Sequence, residues 1–171
     1  MTTRYNPRPT PTLTRRQAAT ALVTALATAW FVAASPARAA LASFPVPASL
    51  QDELAMAMGA REPLVVMVSL DGCPFCKIAR ENYLAPLVRE QGLRVVQLNM
   101  QHKDLVKDVR GFGKTHEQLI AELKVTMAPT LLFYGRNGTE VAERLVGIGS
   151  EDFYGAYLDQ RVATARAAVR K

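Results

Sequence analysis

Two short apolar segments constrain the fold of this chain more than any other feature. Residues 63–70, "PLVVMVSL", and residues 93–100, "LRVVQLNM", are rich in β-branched side chains and almost free of charge. Segments of this length and composition are typical of strands buried on both faces of a sheet. Because a helical pattern precedes the first segment and another lies between the two, the sheet should be covered by helices. The sequence therefore predicts an α/β fold.

Three helices are predicted between residues 49 and 124. The first covers residues 49–59, with Ser49 as N-cap and Gly59 as its stop. The second should begin near Pro74, a residue suited to the first helical turn, and end before Pro86, because proline disrupts a helix interior. The third covers residues 116–124, "HEQLIAELK", after Thr115 as N-cap. The polar stretch between the second strand and this helix is predicted to be a surface loop, with at most a short helical turn.

The last part of the chain completes the sheet. Residues 129–135, "PTLLFYG", form a predicted third strand, and Asn137-Gly138 is a strong hairpin signal that leads into an antiparallel strand over 140–148. A C-terminal helix follows, with Ser150 as its predicted N-cap. We therefore expect one domain over residues 49–171, built on a central mixed four-stranded sheet with helices on both faces.

The first 39 residues are typical of an export signal. Basic residues and no acids precede an uncharged stretch over residues 18–34, and Ala37 and Ala39 occupy the small-residue positions of a cleavage site. We predict cleavage after Ala39, with residues 40–48 as a linker; an uncleaved membrane anchor is the alternative. The pair Arg15-Arg16 leaves both the general secretory route and the twin-arginine route open. The expected destination is the periplasm.

The basic charge of the chain belongs largely to this segment. Five of the 21 basic residues and none of the 15 acidic residues lie within it, which leaves 16 basic and 15 acidic residues in the mature chain. The net charge of the mature chain is therefore about +1 rather than +6. Since nucleic-acid binding needs a basic face on the folded domain, no nucleic-acid partner is predicted.

Cys73 and Cys76, in "GCPFCK", are the two cysteines of the chain. A disulfide between them closes a loop of four residues, and the stabilising effect of a disulfide grows with the length of the loop. A zinc site would need two more ligands, but His102 and His116 lie 14 residues apart rather than at finger spacing. We expect His102 in a loop, His116 on the surface, and no metal. A structural disulfide and a metal site are the weaker alternatives for the role of the two cysteines.

Redox exchange fits the position of this cysteine pair best. Cys73 should lie at a helix N-terminus, where partial positive charge favours thiolate over thiol, and Lys77 adds a cation. Cys73 is the predicted nucleophile, and Cys76, one turn further on, is the predicted resolving thiol that releases the client. Pro74, Phe75 and Lys77 are predicted to tune the redox potential. Asp71 either opposes the thiolate or serves as a turn residue.

A second predicted element of the site lies far along the chain. The proline of "MAPT", residues 127–130, stands where a helix–strand loop enters the sheet, which suggests a cis bond between Ala128 and Pro129. This loop should lie against the cysteine helix, so that the backbone of Ala128 can pair with an extended client chain. Ala128, Pro129 and Thr130 are the predicted client-binding residues; an ordinary trans proline is the alternative.

Together these segments resemble the thioredoxin superfamily over about residues 50–158. Within it, "YLAPLV", "DVRGFGKTHEQLIAELKV" and the "APT" strand are most similar to periplasmic thioredoxin-like proteins of the SoxW type. The resemblance implies an exported thiol–disulfide oxidoreductase that reduces disulfides or thiol adducts on a periplasmic client. A disulfide donor of the DsbA type and a non-catalytic binding module are the alternatives. We expect a monomer, a membrane electron donor, and no cofactor beyond the Cys73–Cys76 disulfide.

The chain departs from the superfamily pattern at three positions. Met67 stands where a buried acid usually precedes the first cysteine by six residues, Gln97 replaces the lysine that often accompanies that acid, and Gly72 replaces the usual tryptophan. The group that handles the proton during client release is therefore not identified by the resemblance.

Overall fold

The structure is a computed structural model that describes residues 43–171. The predictions made for residues 1–39 lie outside the described residues, as does the start of the predicted linker. The strands are β1 (Leu64–Ser69), β2 (Arg94–Asn99), β3 (Leu105–Lys107), β4 (Gly113–Thr115), β5 (Thr130–Tyr134) and β6 (Glu140–Val146). The helices are α1 (Leu50–Gly59), α2 (Pro74–Ile78), α3 (Ala85–Gln91), α4 (His116–Glu122) and α5 (Glu151–Arg170).

The central sheet has the strand order β2-β1-β5-β6. Strand β1 runs parallel to β2 and antiparallel to β5, and β6 returns antiparallel to β5. The predicted mixed four-stranded sheet is confirmed. The turn between β5 and β6 is built around Arg136–Gly138, where Asn137 adopts a φ of 61°. Asparagine tolerates this left-handed conformation better than most residues, which explains the hairpin signal.

Helices cover both faces of the sheet, as predicted. All six residues of β1 are buried, and the five apolar ones alternate between two apolar clusters. Val65 and Met67 pack with residues from α2, α3 and α5, whereas Val66 and Val68 pack with residues from α1 and α4. The cysteine motif follows β1 directly, so the core on both faces fixes where it lies. Among residues 43–171, no helix is long and apolar enough to span a membrane.

The described part of the predicted linker packs on the domain. Phe44 is 2% exposed and belongs to the same apolar cluster as Met67. The carbonyl of Pro45 accepts a hydrogen bond from the backbone N–H of Gln97 at 2.9 Å. Residues 43–48 therefore form an arm that bonds to β2 through Pro45 and to β3 through Ala48, whose carbonyl accepts the N–H of Lys107 at 3.0 Å.

The helix after the cysteines does not end before Pro86, and that prediction was wrong. A π-helical segment, Ala79–Leu84, links α2 to α3, and the N–H of Ala85 bonds to the carbonyl of Arg80. Pro86 then occupies the first turn of α3, where no amide hydrogen is needed. Because the π-helical turn is wider than an α-helical turn, the helix continues through Pro86.

The polar stretch before α4 forms a two-stranded antiparallel ribbon, β3–β4, rather than a loop with a helical turn. Asp108 between these strands is 3% exposed. It accepts hydrogen bonds from the backbone N–H groups of Arg110 and Phe112 and from Nζ of Lys114. These donors lower its pKa against the opposing and largest effect, burial, which raises it. The ionised side chain of Asp108 thus holds the connection between β3 and β4 in place.

The predicted caps are formed at two of the three helices. Ser49 accepts the N–H of Asp52, and Thr115 forms a reciprocal capping box with Gln118. Ser150 is the first residue before α5, but its side chain makes no capping hydrogen bond. Helix α1 includes Gly59 and is capped by Ala60.

Candidate active site

Cys73 is the N-cap residue of α2, as its position after the buried strand β1 predicts. The turn between strand and helix passes through Gly72, whose φ is +71°. A side chain at this φ would strain the backbone, and glycine avoids that cost. Glycine at position 72 therefore fits this turn without backbone strain.

The two cysteines form a disulfide and differ in accessibility. Cys73 is half-buried, whereas Cys76 is 0% exposed and lies in an apolar cluster with Met67 and Ala79. The backbone N–H of Cys76 points at Sγ of Cys73, at 3.1 Å. A hydrogen-bond donor at this position favours the charged form of a sulfur, so it would stabilise the Cys73 thiolate after reduction. This geometry fits the predicted roles of Cys73 as nucleophile and Cys76 as resolving thiol, which stay predictions.

The loop ahead of β5 lies against the cysteines. The Ala128–Pro129 peptide bond is cis, as the position of the proline suggested. The carbonyl oxygen of Ala128 is 4.0 Å from Sγ of Cys73. The carbonyl of Pro129 accepts the N–H of Gly147 at 2.7 Å, which ties the loop to the end of β6. The structure thus brings together two segments that lie 55 residues apart in the sequence.

Thr130 does not have the position that its predicted role needs. Its side chain is 1% exposed, and its hydroxyl donates to the carbonyl of Met127 at 2.7 Å. A client cannot reach a side chain buried in this way, so the prediction of Thr130 as a client-binding residue is corrected. Its hydroxyl instead holds the loop in shape. Met127, which was not among the predicted site residues, is 53% exposed beside the loop.

The predicted tuning residues lie on the outer surface of α2. Pro74 and Lys77 are exposed, and Phe75 is 52% exposed. The ring of Phe75 and the side chain of Met127 are two large apolar groups left uncovered near Cys73. Whether Pro74, Phe75 and Lys77 tune the potential stays a prediction.

The position of the usual buried acid is filled by an apolar group. Met67 is 0% exposed and pairs across the sheet with Gln97 of β2. Gln97 accepts a hydrogen bond at 2.6 Å from Nη1 of Arg80. In the described part of the chain the two buried acids are Glu62 and Asp108, and both pair with basic side chains outside this site. Within residues 43–171, therefore, no buried carboxyl group lies beside Cys76.

A polar cluster beside the cysteines was missed by the sequence reading. Oδ1 of Asp71 accepts a hydrogen bond from Nδ2 of Asn99 at 2.5 Å, and Oδ2 of Asp71 lies 3.1 Å from Nε2 of His102. The carboxylate of Asp71 is thus engaged by β2 and by the loop after it. Asn99 ends β2 and Asp71 follows β1, so both residues lie at the same end of the sheet. This shared position is the one feature of the sequence from which the cluster could have been predicted.

His116 belongs to the same cluster, and its predicted surface position was wrong. It is 0% exposed, and its Nδ1 accepts the backbone N–H of Asn99 at 3.3 Å. The rings of His102 and His116 stack with centroids 6.2 Å apart. The backbone N–H of His116 donates to the carbonyl of Asp104 at 3.1 Å, so the segment just before β3 lies against the start of α4. Within residues 43–171 there is no group of three or more His, Cys, Asp or Glu side chains arranged to hold a metal ion.

Comparison with known proteins gives one family and a set of solved structures. A family model described as a thioredoxin-like domain matches residues 50–161. No curated protein matches significantly. Thioredoxin O2 from Arabidopsis thaliana is 18% identical, with a TM-score of 0.47 and coverage of 70% of this chain and 95% of that chain. Fasciola hepatica thioredoxin is 18% identical, with a TM-score of 0.47 and coverage of 70% and 96%. Trxlp from Edwardsiella tarda is 29% identical, with a TM-score of 0.43 and coverage of 63% and 89%.

Proposed function

The chain belongs to the thioredoxin-like family, and we propose that it is exported and reduces disulfides or mixed thiol adducts on client proteins in the periplasm. Its class, thiol–disulfide oxidoreductase, follows from the family and from the Cys73–Cys76 disulfide. The observation that carries the proposal is the unequal exposure of this pair. One sulfur is accessible at a helix N-terminus, and the other is buried beside it.

The reaction proceeds by two exchange steps. In the dithiol form, the Cys73 thiolate attacks one sulfur of the client disulfide, which forms a Cys73–client disulfide and releases the other client sulfur as a thiolate. Cys76 then loses its proton and attacks Sγ of Cys73, which frees the second client thiolate and leaves the Cys73–Cys76 disulfide. Two electrons pass to the client, and an external dithiol must return them. A membrane electron donor fits that role.

The cis-proline loop supports binding of an extended client segment. The N–H of Ala128 makes no hydrogen bond within residues 43–171, and its carbonyl has one polar contact there, with Sγ of Cys73 at 4.0 Å. An extended client chain can pair with this backbone as an added strand does. Phe75 and Met127 supply apolar contact beside it. Ala128 and Pro129 are thus the client-binding residues of the proposal.

The proposal of export depends on residues 1–39. Their basic start, uncharged middle and Ala-x-Ala end are those of a cleaved signal. The resemblance to periplasmic thioredoxin-like proteins of the SoxW type supports three further parts of the proposal. The protein reduces rather than oxidises its clients, it acts as a monomer, and it is related to that type.

Two cysteine variants test the chemistry. Cys73→Ser should abolish disulfide reduction, whereas Cys76→Ser should accumulate a mixed disulfide between Cys73 and the client, identified by mass spectrometry of periplasmic extracts. Exchange that survives in Cys73→Ser would refute the mechanism. Client binding without turnover in the native protein would indicate a binding module instead.

The reduction potential tests the direction. Equilibration with glutathione or dithiothreitol buffers should give a value near the −270 mV that is typical of reductants, rather than near the −120 mV of a strong disulfide donor. A value near the second figure would overturn the proposed direction and leave the exchange chemistry in place.

A further inference from the structure

A pocket of about 570 Å³ lies beside Cys73 and is separate from the cis-proline loop. Its principal lining residues are Asp71, Cys73, Lys77, Arg80, Glu81 and Gln97. No residue of the segment 127–130 lines it. Cys73 therefore has two different neighbours: the backbone of the cis-proline loop on one side and this pocket on the other.

Open space lies next to Gly72, beside Cys73. Gly72 lines the pocket, and a Cβ atom added to it would meet no atom within 4 Å. The space next to Gly72 is therefore unfilled, and a small molecule attached to the Cys73 sulfur can extend into it. A pocket of this volume falls within the range of about 300–1,000 Å³ for sites that bind small molecules.

The pocket presents separate charges of both signs. Lys77 lies in α2 and Glu81 four residues later in the π-helical segment, and neither makes an ion pair or a hydrogen bond with any described residue. Arg80 differs, because its Nη1 donates to Gln97 while its Nε is buried without a partner in the described chain. Asp71 is engaged by Asn99 and His102. An unpaired ammonium group and an unpaired carboxylate thus flank the path from Cys73.

From this arrangement we propose that the pocket binds the amino-acid moiety of a small zwitterionic thiol, such as cysteine, while its sulfur is joined to Cys73. The carboxylate of that moiety pairs with Lys77, and its ammonium group pairs with Glu81. This inference rests on the proposed function and names its substrate class: disulfides in which at least one half is a low-molecular-weight thiol of the amino-acid type.

The exchange is balanced without a further reactant. The Cys73 thiolate attacks the sulfur that the cysteine half contributes to the substrate disulfide, forms a Cys73–cysteine disulfide and releases the other sulfur of the substrate as a thiolate. Cys76 loses its proton and attacks Sγ of Cys73, which releases cysteine as a thiolate and leaves the protein disulfide. The substrate disulfide gains two electrons, and the protein dithiol loses them.

Four symmetric disulfides of different charge test the pocket. Cystine carries both groups on each half, cystamine carries only the ammonium group, dithiodipropionate carries only the carboxylate, and 2-hydroxyethyl disulfide is uncharged. The rate of oxidation of the reduced protein by each is measured by stopped-flow fluorescence or by quenching and mass spectrometry. Every rate is divided by that for 2-hydroxyethyl disulfide, which cancels a general change in Cys73 reactivity.

Lys77→Ala should lower the normalised rates for cystine and dithiodipropionate about threefold to fivefold and leave that for cystamine unchanged, since one exposed ion pair contributes up to about 1 kcal/mol. Glu81→Gln should lower the rates for cystine and cystamine by a similar factor and leave dithiodipropionate unchanged. Lys107→Ala and Glu90→Gln, which remove one exposed charge outside the pocket, are the matched controls and should alter none of the ratios.

Cystine distinguishes a zwitterion site from a general electrostatic effect, because its net charge is near zero. If either variant changes only the singly charged disulfides and leaves cystine unaffected, the effect is a general electrostatic one and the pocket is not a zwitterion site. Loss of reactivity toward all four disulfides in the native protein would instead refute the proposed oxidoreductase function, so the two failures are distinguishable.

The Cys76→Ser variant distinguishes free from protein-bound sources of the small thiol. It is incubated separately with cystine and with a carrier protein that bears a cysteine adduct, and the mass on Cys73 is then measured. A cysteine adduct formed from either source supports the proposal, and the effective source identifies the natural substrate form. Absence of a cysteine adduct from both sources would overturn it.

Discussion

His102 and Asp71 join the loop after β2 to the turn that carries Cys73: Nε2 of His102 lies 3.1 Å from Oδ2 of Asp71, two residues before the cysteine. Together with the hydrogen bond from Asn99, this contact holds the Asp71 carboxylate toward β2. A carboxylate free to turn toward a thiolate would oppose its formation. His102 is therefore expected to protect the reactivity of Cys73.

The first prediction is that His102→Ala slows alkylation of Cys73 by iodoacetamide at pH 6.5 by about threefold, the size of effect that one unit charge has across a hydrated distance. The measurement uses the reduced protein and mass spectrometry of the labelled peptide. Asp71→Asn combined with His102→Ala should restore the native rate, because the opposing charge is gone. Equal slowing in the double variant would contradict this role.

The sequence predicted the sheet well because its information is local. The β-branched segments that became β1 and β2 need burial on both faces, and the Asn137-Gly138 turn allows one simple pairing of β5 with β6. The position of Cys73 followed from the junction of strand and helix. Each of these features depends on residues that are neighbours in the sequence.

What the sequence did not reveal depends on contacts between distant segments. Thr130 looked accessible because it follows Pro129, but its hydroxyl turns inward to the Met127 carbonyl. His116 looked exposed at the start of a helix, but it is 0% exposed and its ring contacts Asn99 and His102. Pro86 looked like a helix stop, but the π-helical segment before it removed the conflict. Hydrophobic periodicity gives no signal for any of these three outcomes.

The second prediction concerns stability at mildly acidic pH. Burial lowers the pKa of His116, and the neighbouring His102 adds to this effect, while Asp104 opposes it. Protonation would also place a proton on Nδ1, which accepts the backbone N–H of Asn99. A group whose pKa is lowered on folding binds more protons when unfolded, so its contribution to stability is complete above its ordinary pKa of 6.5 and is lost as the pH falls below that value.

Urea unfolding from pH 7.5 to pH 5 measures this effect. The free energy of unfolding of the native protein should fall through this range, and the fall should be smaller in His116→Gln, which keeps an acceptor but does not titrate. Equal slopes of stability against pH in the two proteins would show that His116 is not responsible.

The third prediction concerns the attachment of α5 to the start of β1. Glu62 is 8% exposed and pairs with Nε of Arg166 at 2.7 Å and with the guanidinium of Arg170. Removing one partner of a buried ion pair leaves the other charge uncompensated. Because Arg170 is partly solvated, Glu62→Ala should lower the free energy of unfolding by about 2 kcal/mol, below the usual cost for a fully buried pair.

Glu143→Ala is the matched control for this measurement. Glu143 also pairs with an arginine, Arg161, but its side chain is 76% exposed. Its loss should cost less than about 1 kcal/mol. If both variants lose the same stability, burial of Glu62 adds nothing to the pair.

The last prediction concerns the hydroxyl group of Tyr154, which lies in the apolar cluster beneath the cysteine helix. Tyr154 is 2% exposed, and its hydroxyl has no hydrogen-bond partner in the described chain. Burial raises its pKa well above the ordinary value, so it stays uncharged. A buried hydroxyl without a partner costs about 1 kcal/mol or more, whereas the ring contributes through its edge contact with Tyr83, with centroids 4.8 Å apart.

Tyr154→Phe keeps the ring and removes the hydroxyl, so it should raise the free energy of unfolding by about 1 kcal/mol, measured by urea denaturation. Tyr157→Phe serves as the control, because Tyr157 is 51% exposed and its hydroxyl reaches water. That change should leave stability within about 0.5 kcal/mol of the native value. A Tyr154→Phe variant less stable than the native protein would show that the hydroxyl has a partner, such as a buried water, whose hydrogen bond outweighs the cost of burying the group.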